Sequence, residues 1–146
     1  MRKFENVTGS NTPLPTRSTK NSAGYDFRAS STITLESFNL SVSVVKTGIK
    51  CKMEPNEVLN LYSRSSMGAK GIIMPNSVGV IDADYYNNPD NEGEISFMFI
   101  NLSGKPYTIH KGDRIGQGVF NKYFITNDDC AGYRRVLRVF SHAVKR

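Results

Sequence analysis

The chain is poor in the side chains that announce a metal centre or a disulfide framework. Its two cysteines, Cys51 and Cys130, form no close pair, and neither stands beside a histidine at metal-ligand spacing. That excludes a disulfide-stapled secreted scaffold and a zinc module, and leaves reduced thiols as the expectation. The two histidines, His110 and His142, fall in no ligand pattern. No apolar run is long enough to cross a bilayer, and none follows the Met-Arg-Lys-Phe-Glu start. A soluble, cytoplasmic protein without a membrane partner is expected. There is no internal repeat and no domain linker. Residues 131–146 lack Asp and Glu but hold Arg134, Arg135, Arg138, Lys145 and Arg146. The rest of the chain carries 14 basic residues against 13 acidic ones, so the net charge of +6 sits almost wholly in the tail. Nucleic acid is therefore not an expected partner. A DNA-binding reading would rest on the tail alone and would predict steep salt dependence that vanishes when the tail is removed.

What is present is a pattern of short strands. A chain of 146 residues is long enough to bury the core of one domain. Its apolar fraction of 38% is modest, which suits a subunit that finishes burying surface against copies of itself. Residues 8–22 hold two prolines and many small polar residues, an extended lead-in rather than a regular element. From Tyr25 onward, apolar or alternating runs recur at 32–35, 40–45, 48–51, 57–62, 95–100, 107–109 and 115–120. Alternation at period two is the half-buried strand signal. Turn signals such as 54–57 and 103–106 break the runs at near-regular spacing, the mark of a sandwich, jelly roll or barrel. One helical turn is expected around 66–70. The reading is an all-β domain over residues 1–130, followed by a basic tail over 131–146.

The densest chemistry lies at 79–85. Val80 and Ile81 are strand formers, and Asp82, Asp84 and Tyr85 follow at once, so a strand runs into an acid-bearing turn. By itself such a turn only caps or bends the chain. Three further segments accompany it in order: Ala23-Gly24-Tyr25-Asp26, then Arg64-Ser65-Ser66, and after it Gly112-Asp113-Arg114-Ile115-Gly116-Gln117. Together the four segments resemble the trimeric dUTPase family, which hydrolyses dUTP to dUMP and pyrophosphate. The resemblance runs from about residue 20 to about residue 125. It implies a distorted jelly-roll β-barrel that forms a homotrimer with shared active sites, and a requirement for Mg²⁺.

The resemblance also implies roles. Asp82 is the general base: an aspartate is ionised near neutral pH and can orient and deprotonate a water. Tyr85 lies against the deoxyribose and leaves no room for a 2′-hydroxyl, a task suited to a rigid aromatic. The stretch from Asn76 to Gly79 reads uracil with its backbone, Gly79 permitting close approach. Arg64, Ser65 and Ser66 grip the phosphates through a guanidinium fork and two hydroxyls, and the Gln117 amide donates to a phosphate oxygen. Asp26 holds the metal through water, in keeping with a cation that retains its waters and prefers substrate phosphates. Asp113 and Arg114 are expected to be structural, in a buried Arg–Asp arrangement near a trimer axis that orients the strand. Gly116 stands where the family has Ala, an exchange expected to matter little.

Three departures from the family pattern stand out. The stretch from Arg64 to Gly71 is one residue short. The polar segment 86–93, with Pro89 at its centre, lengthens the connection after Tyr85. It is expected to be an enlarged hairpin tip beside the site, as in some phage-encoded members, and points to a phage or prophage origin. The family's glycine-rich C-terminal arm is not recognisable. Arg135 and Phe140 keep an arm-like spacing, so Phe140 could still stack on uracil, but Val136, Val139 and Val144 are stiff β-branched residues. Nucleotide binding is expected to survive and turnover to be depressed. The competing readings are a dUTP-binding regulator on the same fold, partnered by a repressor protein, and a dCTP deaminase.

Overall fold

Alternating sequence becomes antiparallel sheet. The computed structural model describes residues 1–131. The strands are β1 (Lys3–Asn6), β2 (Tyr25–Arg28), β3 (Ile33–Leu35), β4 (Asn39–Lys46), β5 (Ile49–Lys52), β6 (Glu57–Ser63), β7 (Ile72–Ile73), β8 (Gly79–Asp82), β9 (Ser96–Asn101), β10 (Tyr107–Ile109) and β11 (Arg114–Lys122). A single helical turn, α1 (Ser65–Ala69), follows β6, and a 3₁₀ turn (Ala83–Tyr85) follows β8. Among the described residues no helix is long and apolar enough to cross a membrane.

Four antiparallel sheets make up the domain: β1–β5, β3–β10, the four-stranded β2–β11–β6–β8 and the three-stranded β4–β9–β7. The two larger sheets face each other. Phe27, Leu59, Leu61 and Ile115 from one meet Val45, Phe97 and Phe99 from the other, all buried. Phe97 lies parallel to Phe99 at 6.2 Å between centroids and tilts onto Phe27 at 5.6 Å. These packed aromatics join the sheets into the jelly-roll core. The β1–β5 ribbon sets Cys51 opposite Phe4 and closes one edge. Burial pushes the Cys51 thiol up to about 12, so it is a core residue with no nucleophilic part.

The sheets differ in what they show outside. On the three-stranded sheet, Val44 pairs with Met98 and Ile73 with Ile100. Val42, Val44 and Ile73 are exposed, while Met98 and Ile100 are half-buried. Its central strand β9 is therefore apolar on both faces. Antiparallel strands with solvent on one face normally alternate, so β9 has the composition of a strand covered on both sides.

The segment 86–93 is not a hairpin tip. β8 pairs with β6 in one sheet, and β9 pairs with β4 and β7 in the other, so the segment carries the chain from sheet to sheet. Backbone bonds from Ile95 N–H to the Ile49 carbonyl (2.8 Å) and from Thr47 N–H to the Ile95 carbonyl (3.2 Å) steer its exit onto β5.

Candidate active site

The outer face of the four-stranded sheet carries several of the candidate side chains, and strand parity puts them there. Asp26 of β2 pairs with Gln117 of β11, Gln117 with Tyr62 of β6, and Val58 of β6 with Asp82 of β8. Residues 58, 60 and 62 share one face, as do 80 and 82, while Leu59 and Leu61 point into the core.

One corner of that face gathers Arg64, Ser65, Ser66, Asp26 and Gln117. Arg64 precedes α1, and its carbonyl accepts the N–H groups of Met67 and Gly68, both at 3.1 Å. Ser65 and Ser66 are exposed on the turn. The Arg64 guanidinium donates to the Arg114 carbonyl (3.3 Å). Arg114 reaches Asp26, with Nη1 3.7 Å from Oδ2. A Cβ at position 24 would run into the Gln117 carboxamide, so Gly24 is what lets that amide lie across the start of β2. Two guanidinium groups, two hydroxyls and an amide around one half-buried carboxylate can hold a polyphosphate.

Within one chain Asp113 and Arg114 do not pair with each other. Asp113 is exposed and accepts the His110 N–H (2.8 Å) to close the turn before β11, leaving Arg114 to face Asp26. Arg114 thus joins the corner of Arg64, Asp26 and Gln117, a place that no local sequence signal assigned to it. Gly116 is not interchangeable with Ala either. A Cβ there would lie 2.8 Å from the Tyr62 carbonyl oxygen and inside the buried Phe97 ring. Gly116→Ala is expected to destabilise the domain by about 1–3 kcal/mol, read as a lower Tm; an unchanged Tm would mean that β11 shifts without cost.

The second corner holds Asp82, Asp84 and Tyr85. Asp82 is exposed at the end of β8, and Tyr85 is half-buried at the end of the 3₁₀ turn. A cleft of about 470 Å³ opens there, lined by Met53, Pro55, Asp82, Ala83, Asp84 and Tyr123. Met53, Pro55 and Tyr123 went unnoticed in the sequence because three separate segments supply the wall. Upstream, Asn76 and Ser77 form a tight turn: the Val78 N–H reaches the Asn76 carbonyl (2.7 Å), and Ser77 has φ +62°. Gly79 lies against Leu61, which a Cβ would approach to 3.1 Å; glycine here serves the packing of β8 on β6.

The two corners are apart within one chain. Tyr62, in the row of Gln117, and Val58, in the row of Asp82, are four residues apart on β6, or about 13 Å. Arg64 is two residues further, so about 20 Å separates its backbone from the row of Asp82. Arg135, Phe140 and the rest of the basic tail beyond Ala131 lie outside the described residues.

The chain has relatives among known proteins. A family model described as dUTPase matches residues 10–131. The deoxyuridine 5′-triphosphate nucleotidohydrolase of Lactococcus lactis subsp. lactis (strain IL1403) is 42% identical over 133 residues, covering 88% of this chain and 87% of that protein. The crystal structure of the dUTPase from Streptococcus mutans superposes with a TM-score of 0.81 at 38% identity, over 86% of this chain and 98% of that one. The dUTPase of phage phi11 of S. aureus shares the fold, with a TM-score of 0.71 at 22% identity over 90% of this chain and 96% of that one.

Proposed function

Since this chain belongs to the dUTPase family and so hydrolyses dUTP to dUMP and pyrophosphate, we propose that it does so at sites shared between copies of itself in a homotrimer. The observation behind this is the distance between the corners. A triphosphate gripped at Arg64 cannot present its α-phosphorus to the Asp82 of the same chain across about 20 Å. A second copy can bring its Asp82 corner to the first copy's Arg64 corner. The uncovered apolar face of Val42, Val44 and Ile73 favours such assembly.

In this reading Asp82 orients a water and takes its proton as the oxygen attacks the α-phosphorus. The bond from that phosphorus to the bridging oxygen breaks, and pyrophosphate leaves. The Arg64 guanidinium, the Ser65 and Ser66 hydroxyls and the Gln117 amide take up the phosphate charge. Asn76 to Gly79 read the uracil edge, and the Tyr85 ring excludes a 2′-hydroxyl. Mg²⁺ fits the Asp26 corner. The donor is a hard carboxylate, and among the described residues no group of three or more His, Cys, Asp or Glu side chains forms a cage, which suits a cation that keeps its waters. When bound, the ion supplies positive charge to the phosphate oxygens. The domain is taken to end near residue 130, and Arg135 and Phe140 of the tail are kept as candidate nucleotide contacts.

Pyrophosphate release by the full chain, with Mg²⁺ and after chelation, tests the reading. Release from dUTP that falls on chelation is expected, and grafting a glycine-rich arm in place of the tail should raise kcat. No pyrophosphate from dUTP, or ammonia from dCTP, would overturn it. No observation on this chain favours the regulator reading or a repressor partner.

A further inference from the structure

Tyr85 is braced by the segment that the strand pattern left over. The Asn88 amide donates to the Tyr85 carbonyl (2.7 Å) and to Asn91 Oδ1 (2.8 Å). Asn88 Oδ1 accepts the N–H groups of Asp90 (3.0 Å) and Asn91 (3.2 Å), and Asn91 Oδ1 accepts that of Gly93 (3.0 Å). Asn91 Nδ2 then reaches back and donates to the Tyr85 hydroxyl (2.6 Å), which itself donates to the Glu94 carbonyl (3.2 Å). The segment is pinned from outside as well. Lys50 Nζ donates to Asn87 (2.6 Å) and Glu92 (2.8 Å), Glu92 accepts the Thr8 N–H (3.1 Å), and the Tyr86 hydroxyl donates to Glu5. Gly93, at φ +87°, closes the brace, and a Cβ there would come within 2.7 Å of the Tyr85 carbonyl oxygen.

We propose that Asn91 is a positioning residue for sugar discrimination: through the phenol oxygen, its amide fixes the Tyr85 ring where a 2′-hydroxyl would have to fit. The inference rests on the sugar-exclusion role given to Tyr85 above. A steric wall rejects a single added hydroxyl only as well as it resists displacement, and a ring free to swing by an ångström makes room. The Tyr85 hydroxyl has both a donor and an acceptor held by fixed backbone, so the ring is tethered at its far end as well as at its Cα. The longer segment thus has a use at the site.

The test is the ratio of kcat/KM for dUTP to that for UTP, measured on the full chain. Asn91→Leu and Tyr85→Phe each remove one end of the tether and keep the ring. Each is expected to lower the ratio about tenfold, the effect of one hydrogen bond. The double variant should lower it no further than Tyr85→Phe alone, because loss of the hydroxyl already cuts the Asn91 link along with the Glu94 one. Damage to the fold alone would depress both substrates together and leave the ratio unmoved. Tyr85→Ala separates the two levels of the argument. If that variant keeps the native ratio, sugar exclusion by Tyr85 is wrong and the inference goes with it. If it relaxes the ratio while Tyr85→Phe and Asn91→Leu do not, packing alone holds the ring; the role of Tyr85 then stands and that of Asn91 is overturned. Should Asn91→Leu not fold, the smaller Asn91→Ala decides, since it removes the amide and leaves the bond from the Tyr85 hydroxyl to Glu94 in place.

Discussion

Asp82→Asn lowers kcat for dUTP by about 10³-fold, and Arg64→Ala is nearly as damaging, yet a mixture of the two inactive chains recovers activity. Asparagine keeps the shape of the side chain and its bonds to water but cannot accept the proton. Alanine at 64 removes the fork that balances the charge building up on the phosphates. A shared site needs Asp82 from one subunit and Arg64 from another. In a randomly exchanged equimolar mixture, half of the subunits supply each intact residue, so about a quarter of the sites are whole. Activity of the exchanged mixture, measured as pyrophosphate release, should approach a quarter of the native value. A mixture that stays inactive after exchange would place both residues in one chain's site or remove one of them from the chemistry, and either outcome contradicts the separation of the two corners along β6.

Val44→Glu is expected to leave the subunit folded and to abolish turnover. Val44 is exposed on the outer face of the three-stranded sheet, opposite Met98, so a glutamate there meets water in the lone subunit and disturbs no core contact. In an assembly the same carboxylate is buried against apolar neighbours without a partner, a cost of several kcal/mol per site. Sedimentation should show the native chain as a trimer and the variant as a monomer with unchanged circular dichroism. dUTP hydrolysis should fall to background, because neither corner works alone. A trimeric, active Val44→Glu variant would show that this face is not the one that associates.

The strands that carry an apolar or alternating run were legible, and the two that carry none were not. β3, β4, β5, β6, β9, β10 and β11 each fall within two residues of an apolar or alternating run; β5 and β6 alternate because each buries one face, and β9 is apolar throughout its centre. β1, with the sequence Lys-Phe-Glu-Asn, and β7, with two residues, carry no period of their own. They exist because β5 and β9 offer them an edge, and a long-range partner leaves no local trace. The helical turn at 65–69 was legible from small residues between a strand and a glycine. At the site, the order of the segments singles out Asp82, Tyr85, Arg64 and Gln117 as candidates; their distribution over two corners was not legible, because register is a property of paired strands. The errors share one cause. Asp113 closes a turn with His110, and Arg114 turns to Asp26, a carboxylate supplied by a distant strand. Gly116 looked exchangeable because the Phe97 ring beneath it belongs to a distant strand.

The thiol set against Phe4 offers a clock that needs no engineering. Only a thiolate alkylates, and at pH 8 a group titrating at about 12 supplies almost none. Iodoacetamide therefore reaches Cys51 only when the N-terminal ribbon peels away or the whole domain opens, whereas Cys130, half-buried outside the sheets, is modified first. The slow second label, followed by mass, counts those openings directly. Its rate with and without nucleotide measures how far occupancy of the outer face quiets the edge behind it.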